Sequence, residues 1–159
     1  MPALEQRIHT AYHEAGHAVL AIITGRNINK VSIKPAGNKL GVCKMGKGRK
    51  KANSDVLEAE ILILLAGMAA EGRKSGNYNI HGATQDLHQA EKLALMRAGN
   101  PKQASKVLKR ALDKVHNHFN QSPNWSATKS IANALLESES ISGREAEHLY
   151  KMAVNDAKK

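Results

Sequence analysis

The string His13-Glu14-Ala15-Gly16-His17 lies inside the most regular apolar periodicity of the chain. Ile8, Ala11, Tyr12, Ala15, Val19, Ile22 and Ile23 recur at three- and four-residue steps, which predicts a helix over residues 5–24 with Gly25 as its stop. Residues four apart project from one helix face, so both imidazoles of the string can reach a single cation. Glu14 is rotated about a quarter-turn from them. Its carboxylate then stands beside the cation rather than on it, placed to take the proton of a water that attacks a carbonyl. That combination points to hydrolysis assisted by zinc, which lowers the pKa of water toward about 7. His9, one turn earlier on the same face, reads as a solvated or core histidine.

The rest of the chain sets the frame for that helix. Aromatic residues are scarce, with one Trp, one Phe and three Tyr, so the core must be aliphatic and alanine-rich, which favours close-packed helices. The single cysteine, Cys43, excludes a disulfide framework and a cysteine-rich metal site, and it fits a reducing cytosol. The longest apolar run, residues 61–70, is far short of the roughly 20 residues that span a bilayer, and no signal-peptide pattern opens the chain. A soluble, cytoplasmic protein is expected. The net charge of +10 attracts anionic partners in general without defining a fold.

Alternation over residues 30–35 and 39–45 around Gly37-Asn38 predicts a β-hairpin, followed by an exposed basic loop over 46–53. A second helix is expected from Ser54 as N-cap, buried nearly all round over 61–70, and a loop over 72–82. A third helix should open at Thr84 and run to about Ala98. Asn100-Pro101-Lys102-Gln103 starts a fourth that ends near His118. A fifth covers about 125–137, and Ser142-Gly-Arg-Glu145 caps a sixth. The predicted class is α+β, mostly helical, with residues 1–99 as a core and 100–159 as a C-terminal helical bundle packed on the same domain.

A catalytic zinc needs a third protein ligand and an open position. No Gly-x-x-His follows His17, and Glu71 lacks the neighbours of a thermolysin-type ligand helix. Asp86, His81, His88, Glu71 and the pair His116/His118 remain as candidates. Four segments then occur in order: Thr10-Ala-Tyr-His-Glu-Ala-Gly-His-Ala18; Lys30-Val-Ser-Ile-Lys-Pro35 with Leu40-Gly-Val42; Leu65-Ala-Gly-Met-Ala-Ala-Glu71; and Gly82-Ala-Thr-Gln-Asp-Leu87. Together they resemble the FtsH-type ATP-dependent zinc metallopeptidases over about residues 10–98, and the later helices are compatible. The resemblance implies a zincin-like fold, Zn2+ as cofactor, and Asp86 as third ligand beside His13 and His17. An acid at a helix start is also well oriented by free backbone amides.

Some positions depart from the family. Its Gly-Arg-x-Ala-Glu-Glu reads Gly67-Met68-Ala69-Ala70-Glu71-Gly72 here, which loses the Arg and the second Glu. Glu71 reads either as a carboxylate that orients a ligand histidine or as a surface acid at the helix C-terminus. His81 replaces the Thr usual before the Gly-Ala turn, as a substrate contact or an exposed loop residue. No Gly-x-x-x-x-Gly-Lys-Ser/Thr phosphate loop occurs, and no membrane anchor is expected ahead of the domain. The expected function is a zinc metalloendopeptidase, with Glu14 as base, that cleaves unfolded or flexible polypeptides. By the hairpin's position and the family analogy, substrate would pair along Leu40, Gly41, Val42 and Cys43. A separate ATPase or adaptor would supply folded substrates. The rival is an inactive peptidase fold that binds nucleic acid or an acidic protein through Lys44, Lys47, Arg49, Lys50 and Lys51. The absence of an interleaved aromatic weakens its nucleic-acid form.

Overall fold

Helix α1 (Leu4–Thr24) is buried along its inner face by alanines and a few branched residues, with Ala11, Ala15, Ala18, Val19, Leu20 and Ala21 wholly covered. The computed structural model describes residues 3–53 and 55–159, the side chain of His81 left aside. Small side chains let neighbouring helices come close. A Cβ on Gly16 would lie 2.5 Å from the carbonyl oxygen of Ala66 and 2.6 Å from the Cβ of Ala70, both on α2 (Val56–Ser75). The glycine inside the His-Glu-Ala-Gly-His string is therefore a helix-crossing residue. Gly25 ends α1 in the left-handed region at φ 86°, its N–H turned back to the carbonyls of Ala21 and Ile22.

Strands β1 (Arg26–Ser32) and β2 (Val42–Arg49) follow, and with β3 (Ser140–Ser142) they form an antiparallel sheet in the order β2-β1-β3. The hairpin is confirmed but its limits shift. The Gly37-Asn38 turn closes through reciprocal Ala36–Lys39 backbone bonds of 2.9 and 3.0 Å, yet it lies in a long excursion outside the main ladder. The segment predicted as a basic loop is strand as far as Arg49. Tertiary contacts hold it there: Arg49 Nη2–H donates to Thr24 O at 2.9 Å and Nη1–H donates to Glu60. Leu40 and Gly41 precede the strand, whereas Val42 and Cys43 belong to it.

Helix α2 is buried on all sides over most of its length. Ser54, expected as its cap, lies outside the described residues. Asp55 is the N-cap, accepting from Glu58 N–H at 3.0 Å. The helix runs to Ser75, four residues into the expected loop, and Gly76 ends it at φ 90°. A short 3-10 turn (His81–Ala83) leads into α3 (Thr84–Ala98), followed by α4 (Pro101–Asn120), α5 (Ser122–Ser138) and α6 (Gly143–Ala157). Asn100 and Ser142 cap α4 and α6 as their sequences predict. The described residues thus form an α+β arrangement of six helices and one small sheet. One hydrophobic cluster runs through it from Ala11 on α1 to Ala153 on α6. Three of the five aromatics gather where α1, α4 and α5 meet, with Trp125 5.8 Å from Tyr12 and 5.6 Å from Phe119 between ring centres. No helix among the described residues is long and apolar enough to cross a membrane.

Candidate metal centre

Three helices deliver polar side chains to one point beside α1. Helix α1 contributes His13 and His17, α2 contributes Glu71 and the Ile63 carbonyl, and the first turn of α3 contributes Asp86. Nε2 of His13 and Nε2 of His17 each lie 3.1 Å from the same oxygen, Oδ2 of Asp86. One ligand atom from each of these residues lies within 4.8 Å of the other two.

The far ring nitrogens are held as well. His17 Nδ1–H donates to the Ile63 carbonyl at 2.6 Å, and a carbonyl can only accept, so the proton is on Nδ1. His13 Nδ1–H donates to Oε2 of Glu71 at 3.2 Å. Both rings thus turn Nε2 to the common point, the way metal-binding histidines are oriented by their outer partners. Space is reserved there too. A Cβ on Gly67 would stand 2.5 Å from His17 Nε2 and 2.7 Å from His13 Nε2, so only glycine leaves room for the imidazoles at this helix crossing.

Behind the histidines a second line of polar contacts joins α2 to α3. Asn79 Nδ2–H donates to Glu71 Oε1 at 3.5 Å, and Gly82 N–H donates to Asn79 Oδ1 at 3.1 Å. Asn79 thereby links the carboxylate that holds His13 to the turn that precedes Asp86. The lost second Glu of the family pattern also has a physical counterpart. A Cβ on Gly72 would meet the Tyr78 ring at 2.6 Å, and Tyr78 Oη lies 2.5 Å from His116 Nε2. Gly72 makes room for a tyrosine that fastens the loop to α4.

The electrostatics follow from burial and pairing. Burial pulls the His13 imidazole down, but its contacts with Asp86 and Glu71 and the charge of Glu14 outweigh that and raise it to about 10. Burial pushes Asp86 up, but the two histidines more than offset it and hold the carboxyl below its usual range. Glu14 is 7% exposed, and burial raises its carboxyl against the opposing pull of His17 and His13. Two of the three carboxylates here are thus bonded to the histidines, while Glu14 has no hydrogen bond to them.

The group opens into a cleft of about 560 Å³ whose other wall includes Leu40, Gly41, Val42 and Cys43. A Cβ on Gly41 would lie 3.2 Å from Cγ of Glu14 and 2.8 Å from the Ser32 carbonyl oxygen. The expected substrate-edge segment therefore passes directly over the expected base. The other histidines considered do not join the set. His88 is exposed on α3, His116 is engaged by Tyr78, His118 sits on α4 and His9 is half-buried on α1. The His81 side chain lies outside the described residues. Sequence reasoning missed Asn79 and the Ile63 carbonyl, neither of which has a periodic or motif signal.

Residues 1–99 match the model of Peptidase family M41. The chain is 29% identical over 92% of its length to the ATP-dependent zinc metalloprotease FtsH 2 of Methylacidiphilum infernorum. It is 42% identical over 59% of its length to the ATP-dependent zinc metalloprotease FtsH of Syntrophotalea carbinolica, and 39% identical over 57% to that of Mesomycoplasma conjunctivae. These matches cover 29%, 15% and 13% of the relatives' own lengths, so the chain spans a minor part of each. With 99 of its 159 residues inside the family model, the chain belongs to peptidase family M41 and is of the FtsH type.

Proposed function

We propose that this chain is a zinc-dependent endopeptidase acting on unfolded or flexible polypeptides, with a zincin-like site built from His13, His17 and Asp86. The observation that carries the reading is the convergence of two Nε2 atoms and one carboxylate oxygen within 4.8 Å, each histidine fixed from behind. Two imidazoles and a carboxylate suit zinc, and three protein ligands leave a position open for reaction. The Gly67 cradle fits the same use. Zinc bound there supplies Lewis acidity, polarising a peptide carbonyl and acidifying water.

The chain's own groups do the rest. Glu14, unbonded to the histidines and lifted by burial, accepts the proton of the attacking water. As the new C–O bond forms and the C–N bond breaks, the same carboxyl returns that proton to the leaving nitrogen. Glu71 keeps His13 in position, and Asn79 steadies Glu71. An extended substrate pairs along Leu40, Gly41, Val42 and Cys43, where the bare Gly41 lets its backbone approach Glu14.

The relatives are named ATP-dependent. In this chain residues 41–48 come nearest to phosphate-loop spacing, but they end in Gly48 where that loop needs Ser or Thr, and residues 42–48 lie in strand β2. On this reading residues 1–159 need no ATP for cleavage itself, and an ATPase or adaptor delivers folded substrates to them. A reducing cytoplasm suits Cys43, whose thiol burial pushes well above its usual range. The test is zinc content after dialysis for wild type and for His13→Ala, His17→Ala and Asp86→Ala, each checked for helicity. Near-stoichiometric zinc in the wild type and its loss in the variants is expected. Full occupancy in folded His13→Ala and His17→Ala protein sinks the assignment.

A further inference from the structure

The β1–β2 ribbon places like charges directly opposite one another. Lys30 pairs with Lys44 and Arg26 with Arg49 in the same antiparallel ladder. Facing charges of one sign destabilise a sheet unless an anion lies between or beside them. The arginine pair has such an anion, since Glu60 bonds both guanidinium groups. The lysine pair has none. Lys30 and Lys44 are exposed, as are Lys39 and Lys47 nearby, and among the described residues none of the four has an ion-pair partner.

The same ribbon borders the cleft. Among the described residues strand β2 is at the edge of the sheet, with no strand on its side away from β1, and Lys39, Val42, Cys43 and Met45 line the cleft wall. The carboxylates of that cleft do not neutralise the lysines. Glu71 and Asp86 face the histidines, Glu60 faces the arginines, and Glu14 is buried beside the histidines with no ion pair to a lysine among the described residues.

We propose that the ribbon selects acidic polypeptide segments as substrate. A strand added to the β2 edge sets alternate side chains toward the cleft and toward the face that bears Lys44. Asp or Glu on that second face becomes a cross-strand neighbour of Lys44 and completes the charge pairing that the Lys30–Lys44 juxtaposition lacks. Neither strand carries an aromatic side chain on which a base could stack, so the arrangement favours polypeptide over single-stranded nucleic acid. The inference rests on the peptidase reading and adds a substrate class to it.

The experiment uses the zinc-loaded full chain and three fluorescent peptides that share one apolar centre and carry Asp, Asn or Lys in their flanks. The Asp peptide should show a KM roughly three- to tenfold below that of the Asn peptide at similar kcat. The advantage should shrink as salt is raised. It should also disappear in K30Q/K44Q, whose cleavage of the Asn peptide stays at the wild-type rate. Equal KM values for the Asp and Asn peptides, or an advantage that survives in K30Q/K44Q, overturn the inference while cleavage of the Asn peptide keeps the peptidase reading intact. Failure to cleave any peptide counts against that reading alone. Binding of the same peptides to Glu14→Gln, followed by anisotropy, then decides the charge preference. Tighter binding of a single-stranded oligonucleotide than of the Asp peptide also overturns it.

Discussion

Gly67 on α2 faces His17 on α1 so closely that a Cβ added to it would stand 2.5 Å from Nε2 of the imidazole. Alanine is the better helix former by about 1 kcal/mol in a helix interior, so Gly67→Ala should leave α2 helical. Its methyl group must nevertheless displace His17, His13 or both. Zinc affinity, measured by competition with a chromophoric chelator, should fall at least about tenfold with the helical signal kept. Wild-type affinity in this variant would mean that the two Nε2 atoms do not form the site.

Glu71 acts through His13. Glu71→Gln keeps an acceptor for Nδ1–H but loses the charge, whereas Glu71→Ala loses both. Removing such an outer partner costs roughly 10- to 100-fold in metal affinity. The alanine variant should show that loss in full and the glutamine variant a smaller one. Identical affinities in both variants and wild type contradict the orienting role.

Metal binding should release a proton. In the metal-free chain the His13 imidazole is raised to about 10, so at neutral pH it is charged, with both N–H groups donating to carboxylates. A ligand nitrogen must be free of its proton, so zinc displaces it. The sign follows: apparent affinity falls as pH is lowered and rises toward the raised pKa. Calorimetry in buffers of different ionisation enthalpy should report about one proton released from His13 at neutral pH. An enthalpy that is the same in every buffer contradicts the pairing seen here.

The packing of α1 on α2 makes a separate stability prediction. Gly16 has a carbonyl oxygen at 2.5 Å and a methyl carbon at 2.6 Å from where its Cβ would be, and both belong to a neighbouring helix that is buried all round. Gly16→Val must push the helices apart. Overpacking of this kind costs about 1–3 kcal/mol, read as a lower urea midpoint at unchanged slope. An unchanged midpoint would show that the crossing has slack.

The legible part of this molecule is the part written in local periodicity. His13, Glu14 and His17 could be placed together because a helix of 3.6 residues per turn brings the two histidines to one face with Glu14 beside them, and nothing distant is needed. The caps at Asn100 and Ser142 were legible for the same reason. Asp86 lies 73 residues beyond His13, and spacing alone left it among several candidates until the ordered motifs were compared. Asn79 and the Ile63 carbonyl act through tertiary contacts that leave no trace in sequence. The extension of β2 was hidden by its composition. Gly46, Lys47 and Gly48 read as loop, and tertiary bonds hold them as strand, from Arg49 to Thr24 and Glu60 and from the Asn27 amide to the Lys47 carbonyl. Strand β3, with three residues and one buried side chain, is too short for alternation to register.

The account stands on Glu14 as the base in an active peptidase. The direct measurement is hydrolysis of an unfolded protein such as reduced casein by zinc-loaded wild type and zinc-loaded Glu14→Gln, with metal content and melting temperature determined for both. Glu14→Gln keeps the shape of the side chain but cannot take up the water's proton, so the rate should drop on the order of a hundredfold or more with zinc and fold retained. Equal cleavage by the two proteins, at full zinc occupancy and after removal of contaminating proteases, would contradict the role assigned to Glu14 and the mechanism with it.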